Sequence, residues 1–428
     1  MTDNNANAND NDNKKQSVCI IGGGNAAHAL AALLPFQGYE KTTMYCPFKD
    51  EAKRINAGIA DQDGYMIADF ASHNNPSGIV KGKPLLVSKN PVDVIPDADV
   101  LIMPLPSFAY PFMLKDIKPY LRDGQILCVT PGQGGFDWFA KDILGTELMS
   151  KIIIVGLMPM PFNGRIETFG KHVNVQYLKK KYKIGVIPPT AYSQCQELVE
   201  DMFAGGSVHV QAAGKGTFLE CTMFPINAVM HPARLYTLLL SWKEGDVLDE
   251  NPLFYEEFTP EAAQCVDDVS KDLINIGKSL TEKGIAVEIP HIFDWVACYC
   301  YGEPKDSNMQ RLFQTNDAYK GFRCPLIPSS STKDGRKAGF VPNFSNRYFT
   351  EDIPFGLCVY KGLADIAGVE TPAIDKIIIF FQSFMGKEYV VNGKLEGKDV
   401  MTTSAPQRFG LTTISDLRKL YSTIQHKF

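Results

Sequence analysis

Five stretches of this chain carry residue types that could do chemistry. "SVCIIGGGNAAHAL" sets Gly22, Gly24 and Ala27 in the pattern G-x-G-x-x-A, after a β-rich run and at the start of a helical one. A first glycine there permits a tight turn and a second lets backbone approach a pyrophosphate. A small third residue lets helix and sheet pack closely, with the helix N-terminus facing the phosphates. Gly22, Gly24, Asn25, Ala26 and Ala27 are therefore expected to form a dinucleotide-binding loop, with His28 as first-turn packing. The acid that would end the second strand and hold a ribose hydroxyl is missing, because "TTMYCPFKDE" has Cys46 and Pro47 there. Pattern alone leaves NAD and NADP open.

The other stretches are less local. "TPGQGGFDW" brings Gln133 between Gly132, Gly134 and Gly135, where backbone can come near a ligand and an amide can donate and accept. Arg165 in "PFNGRIETFG" is either a surface ion-pair member or a carboxylate anchor. "FPINAVMHPARLY" places His231 in an apolar run directly before Pro232, which predicts a break between two helices. Taken alone, such a histidine is a core residue satisfied by a nearby carbonyl or carboxylate. "PNFSNRYFTEDIPFG" gathers Asn346, Arg347, Thr350, Glu351 and Asp352; Thr350 as a helix cap with acids in the first turn explains the acids but leaves Arg347 over. Trp295 in "HIFDWVACYC" reads as core.

These residues need elements to hold them. "SVCII", "TTMYC", "DVLIMPL", "QILCVT", "KIIIVG" and "KIGVI" are the continuous apolar runs of parallel strands buried on both faces. They predict an α/β class fold: a Rossmann-like, doubly wound parallel sheet over residues 17–215. An antiparallel excursion, "GYMIAD" to "KPLLVS" around "NNPSG", is expected after the second helix. The loops that begin at Pro104 and Thr130 then fall at the carboxyl edge, where such sheets bind ligands. From about residue 216 to 428 the texture turns to long amphipathic stretches such as "EAAQCVDDVSKDLINIGKSL", a mostly α-helical second domain with the active site in the cleft between the two.

Composition narrows the function classes. With 45% hydrophobic residues in 428 the chain folds into packed domains, and a net charge of −5 leaves no excess of cations for a nucleic acid. The run Lys179-Lys180-Lys181 reads as a solvated strand end. Ten cysteines fall singly, only Cys298 and Cys300 standing close, with no Cys-x-x-Cys; disulfide scaffold and metal ribbon are poor readings, and no metal is expected. Residues 1–16 are polar and of low complexity, a disordered tail without the apolar core of a signal peptide. No run reaches membrane-spanning length, so a cytoplasmic protein with no membrane partner is expected.

Taken together, "GGGNAAHA", "TPGQGG", "NAVMHPA", "PNFSNRYFTEDIPFG" and "GKEYVVNGKLEGKDVMTTSAPQRFG" resemble the octopine/nopaline dehydrogenase family, and most nearly the opine dehydrogenases of marine invertebrates. The resemblance runs in order from about Val18 to near the C-terminus. It implies a Rossmann domain binding NADH rather than NADPH, and reductive condensation of an amino acid with pyruvate to an N-(1-carboxyethyl) amino acid, regenerating NAD in anaerobic glycolysis. It implies that His231 works with Asp352, that Arg347 reaches across to the cofactor pyrophosphate, that Gln133 contacts the keto acid and that Trp295 lies beside its way in. Members that use arginine carry a carboxylate where this chain has Met158, so the donor is expected to be alanine, glycine, β-alanine or taurine. Such small molecules are the expected partners of a monomer. The rival readings are an NAD(P)-dependent β-hydroxyacid or ketopantoate-type reductase needing no amine, and a dinucleotide sensor without catalysis.

Overall fold

The computed structural model describes residues 15–70, 78–179, 181–203, 211–212, 217–224, 226–297, 308–316, 319–329 and 339–426. The expected tail up to residue 14, the turn at 74–77, the domain boundary near 215 and the Cys298/Cys300 pair lie outside them.

The N-terminal half alternates as β1 (Val18–Ile21), α1 (Asn25–Phe36), β2 (Thr42–Tyr45), α2 (Glu51–Ala60), β3 (Met66–Asp69), β4 (Ile79–Gly82), β5 (Leu86–Ser88), β6 (Val100–Met103) and α3 (Tyr110–Ile117). It continues with β7 (Ile126–Val129), α4 (Phe136–Met149), β8 (Ile153–Met158), β9 (Phe162–Thr168), β10 (His172–Leu178), β11 (Lys181–Ile187), α5 (Tyr192–Phe203) and β12 (Gln211–Ala212). The main sheet runs β12-β11-β8-β7-β6-β1-β2-β5. β1, β6 and β7 are buried at every position, which is why they read as unbroken apolar runs. The chain winds outward from β1 to β2 and β5, then returns to β6 on the other side of β1. At that reversal the loops leaving β1 and β6 part and open a crevice at the carboxyl edge.

Three expectations about strands change. "KIGVI" is a strand but runs antiparallel to β8, so the sheet is parallel only as far as β8. The excursion hairpin pairs β3 with β4, whereas the "KPLLVS" stretch supplies β5, a parallel edge strand of the main sheet beside β2. β9 and β10, which composition did not reveal, form a hairpin that joins β3 and β4 in a second sheet of order β4-β3-β10-β9. Pairing direction and sheet membership are set by partners distant in sequence, so short apolar runs do not report them.

The second half opens with α6 (Phe218–Thr222), α7 (Asn227–Leu239) and α8 (Pro260–Glu282). Thr259 caps α8, its hydroxyl accepting from Ala262 N at 3.2 Å, and Pro260 sits at the first helical position. Ala262, Val266, Val269, Leu273, Ile276 and Leu280 recur every three or four residues and are completely buried. Each of the larger ones contributes about 1.5–3 kcal/mol by burial. α7 corrects the predicted break at His231-Pro232, because the helix runs straight through it. Proline in a helix interior costs about 3 kcal/mol, and burial of Val229, Met230, Ala233 and Leu235 around it outweighs that cost.

The halves share one apolar core, which passes from Cys19, Leu101 and Leu127 in the sheet to Val229 in α7 and Val266 in α8. A buried ion pair, Lys183 Nζ of β11 to Glu220 Oε2 of α6 at 2.6 Å, fastens the same junction. Among the described residues no helix is long and apolar enough to cross a membrane.

Candidate active site

The glycine loop leaves β1 at Gly22, whose φ of +107° suits glycine and where an added Cβ would sit 2.8 Å from Leu105 Cδ2. Gly24 is the N-cap of α1, and a Cβ there would meet nothing within 4 Å, so this point of the loop faces open space. Ala27 is buried between helix and sheet. Asn25 does not cap α1: its Oδ1 accepts from Ile166 N at 2.8 Å, tying the loop to β9, the strand that carries Arg165. His28 is packing, as expected. Its Nε2 accepts from Gly170 N at 2.9 Å, its Nδ1 donates to Gly24 O at 3.1 Å, and burial pushes its pKa down to about 4.

In front of Gly24 lies a cavity of about 330 Å³, bounded by Gln133, Met158 and Arg165 from the first half and by Asn227 and Arg347 from the second. Lys179 also lines it, which corrects the reading of a solvated strand end. Its backbone N donates to Pro161 O at 2.7 Å, which continues the β9–β10 pairing to the cavity, and the residue is buried. Three cationic side chains, Arg165, Lys179 and Arg347, thus edge the cavity, and no carboxylate side chain among the described residues lines it. Arg165 lies with its guanidinium carbon 5.1 Å from the centre of the Phe322 ring, a cation–π contact from one half of the molecule to the other. A larger cavity of about 500 Å³ beside Thr217, Ile285, Arg418 and Tyr421 is remote from the loop.

His231 and Asp352 meet. Nδ1 of His231 lies 2.7 Å from Asp352 Oδ2, and both side chains are more than nine-tenths buried. Its Nε2 is 3.2 Å from the Tyr255 hydroxyl, and its face stacks on Tyr348 at 3.8 Å and 19°. The pair stands beside the cavity rather than on its wall: Asn227, one turn before His231 on α7, and Arg347, just before Asp352, are the lining residues. Asn346, not Thr350, caps the short turn Arg347–Thr350, its Oδ1 accepting from Tyr348 N at 3.0 Å. The asparagine precedes the turn and is free to fold back on it, whereas Thr350 is its last residue.

Glu351 is the residue that motif reading missed. It is completely buried; Oε1 accepts from Ser107 N at 3.0 Å and from Gln133 Nε2 at 3.4 Å, and Oε2 lies 3.2 Å from Arg347 Nη2. Burial raises its pKa, opposed by Arg347. One carboxylate therefore orients Gln133 and Arg347 and latches the loop after β6 to the second half. The only local signal was its i,i+4 spacing from Arg347. Gly132 and Gly134 serve packing more than ligand approach, since an added Cβ would sit 2.7 Å from Gly156 Cα or 2.6 Å from Ser107 Oγ. Trp295 is buried against Phe224, ring centres 4.0 Å apart, in a cluster with Met158 and Ile226 that backs the cavity. It does not reach the cavity surface.

Known proteins are similar to this chain over most of its length. The chain is 34% identical over 399 residues to tauropine dehydrogenase of Arabella iricolor, covering 93% of this chain and 98% of the relative. Residues 214–385 match the family described as NAD/NADP octopine/nopaline dehydrogenase, alpha-helical domain. The chain belongs to the octopine/nopaline dehydrogenase family. Octopine dehydrogenase of Pecten maximus is 32% identical over 401 residues, covering 93% of this chain and 97% of the relative. A solved octopine dehydrogenase in complex with NADH and agmatine has a TM-score of 0.79 at 30% identity, over 94% of this chain and 98% of that one. D-mandelate dehydrogenase with NADH reaches only 0.52 at 13% identity over 86% of this chain and 98% of that one, a likeness of fold alone. Family and fold class are thus as the resemblance implied, and in this chain the buried Glu351, the cavity edged by cations and the histidine–aspartate pair stand side by side.

Proposed function

We propose that this opine dehydrogenase condenses pyruvate with a small amino donor, alanine, glycine, β-alanine or taurine, using NADH, and gives an N-(1-carboxyethyl) amino acid. The observation that carries the reading is the cavity between Gly24 and Arg347, edged by three cations and, among the described residues, no carboxylate, with His231 and Asp352 one turn away. The reactants are anionic where they would be held: a pyrophosphate, a keto-acid carboxylate and the donor's own acid group. A guanidinium donor would instead face Met158, and desolvating a cation without a partner is costly.

Gly24, the first turn of α1 and Arg347 fit a pyrophosphate: the glycine has open space where a Cβ would be, α1 has no side-chain cap, and a guanidinium edges the same cavity. Bound NADH supplies the hydride. His231 accepts a proton from the donor ammonium, freeing a lone pair to attack the pyruvate carbonyl, and returns that proton to the departing hydroxyl as the carbinolamine loses water. Asp352 fixes the ring through Nδ1 and stabilises the imidazolium between the two transfers. Gln133, held by Glu351, offers its amide to the keto acid. Arg165 anchors the donor's acid group, and Trp295 shapes the apolar wall behind Met158. In a monomer of the cytoplasm the turnover would regenerate NAD when oxygen is short, with residues 17–215 and 216–428 as the two walls of the cleft.

The test follows NADH absorbance with pyruvate alone and then with each amino donor. Strict dependence on an amine, with the small donors well ahead of arginine, is expected. Oxidation with pyruvate alone would make the enzyme a carbonyl reductase, and a preference for arginine would overturn the donor assignment.

A further inference from the structure

We infer that Glu51 sets the choice of nucleotide: its carboxylate accepts from the adenosine ribose 2′-hydroxyl of NADH and repels the 2′-phosphate of NADPH. The inference concerns the cofactor and holds whichever amino donor is used. The cavity runs from Gly24 toward the loops after β6, β7 and β8, where Pro104, Gln133 and Met158 line it. A dinucleotide whose pyrophosphate crosses Gly24 and whose nicotinamide enters that cavity lays its adenosine on the other side of the glycine loop, over the end of β2. The usual position for a ribose acid, at the end of that strand, is closed here. Cys46 is completely buried and its Sγ donates to Gly22 O at 3.5 Å, while Gly22 N donates to Tyr45 O at 2.7 Å, so strand end and loop are bound directly to each other.

The chain then turns through Lys49, at φ +47°, and Glu51 N donates to Phe48 O at 3.1 Å, which starts α2 with Glu51 against the loop. Its Oε2 lies 3.0 Å from the point where a Cβ on Gly23 would be, and Ile55, one turn along α2, lies 3.1 Å from the same point. Glycine at position 23 therefore makes room for the carboxylate. An acid in the first turn of a helix is favoured by the helix dipole alone, and Asp50 next to it fits that description, being exposed and 3.9 Å from Arg54. Glu51 differs. It is part-buried, and among the described residues its carboxylate has neither a hydrogen bond nor an ion pair. Burial raises its pKa, with Arg54 opposing the rise and Asp50 adding to it. Partial burial of a carboxylate without a partner is costly, and a ribose hydroxyl supplies the donor it lacks. A phosphate monoester in the same place would set like charges together. Two cations of this turn are held elsewhere: the Arg54 guanidinium lies over the Phe169 ring at 4.0 Å, and Lys49 Nζ over Phe48 at 5.1 Å.

Titration of the full chain with NADH, NADPH and NADH lacking the adenosine 2′-hydroxyl, read by nucleotide fluorescence, tests this. Wild type is expected to bind NADH at least about tenfold tighter than either of the others. Glu51→Gln keeps the shape of the side chain and removes its charge, so NADH should weaken and NADPH strengthen, and the preference should contract by at least about tenfold. Glu51→Ala should bind NADH and the deoxy nucleotide alike, because the hydroxyl has lost its acceptor. A merely structural role would weaken both nucleotides equally and leave the gap between them. That gap unchanged in the alanine variant, or NADPH affinity unchanged in the glutamine variant, would overturn the inference. Should neither variant fold, wild type alone decides: equal affinity for NADH and its deoxy form, or a preference for NADPH, refutes it.

Discussion

Two buried histidines on two helices of this protein have opposite fates. His28 lies in the first turn of α1 with both ring nitrogens engaged by backbone, Gly24 O and Gly170 N, and burial pushes it down to about 4. His231 lies in α7 with a carboxylate on one nitrogen and a phenol on the other. Backbone partners cannot change charge, and although the Gly24 carbonyl favours the protonated ring, the hydration lost on burial outweighs it. A carboxylate stabilises the imidazolium, and a hydroxyl serves either protonation state. Burial is common to both regions; the chemistry of the partners separates a histidine that only packs from one suited to carry a proton, the role we propose for His231.

The comparison breaks most sharply at His231. His231→Gln should lower turnover by on the order of 10² to 10⁴ and leave NADH binding, read by nucleotide fluorescence, nearly intact; near-normal turnover would return this residue to the class of His28. Next in size is Arg347→Met. Loss of a charge-assisted contact, about 1.5–3 kcal/mol, should raise the NADH dissociation constant at least about tenfold and reduce compaction in small-angle scattering on NADH addition. Unchanged affinity and scattering would detach Arg347 from the cofactor.

The smallest effect belongs to His28. With its folded pKa about 4 and the ordinary value near 6.5, the unfolded chain binds more protons between those limits. Its contribution to stability is complete above pH 6.5 and is lost as pH falls through 4. Thermal unfolding at pH 7 and pH 5 should show a smaller acid loss in His28→Gln than in wild type, with turnover changed only a few-fold. Equal acid losses in the two proteins would remove the linkage.

Much of the site's scaffolding was legible in the chain, and little of its wiring. The turn at Gly22 depends on neighbours within a few residues, so residue type and spacing report it directly. The apolar stripe of α8 is legible for the same reason. His231 and Asp352, 121 residues apart, looked inert one at a time, and only resemblance to a family paired them. Glu351 hid as an ordinary first-turn acid because its partners Ser107 and Gln133 are more than 200 residues away.

By itself the sequence determined a doubly wound α/β half with a glycine loop, a helical half after it, and a family. Tertiary structure alone decided that β11 runs antiparallel, that α7 passes through Pro232 unbroken, that Lys179 turns inward and that Tyr255 meets Nε2 of His231. The division has one cause. Turns, caps and helix periods are fixed by interactions within a few residues, whereas burial and charge pairing depend on which distant surfaces the folded chain brings into contact.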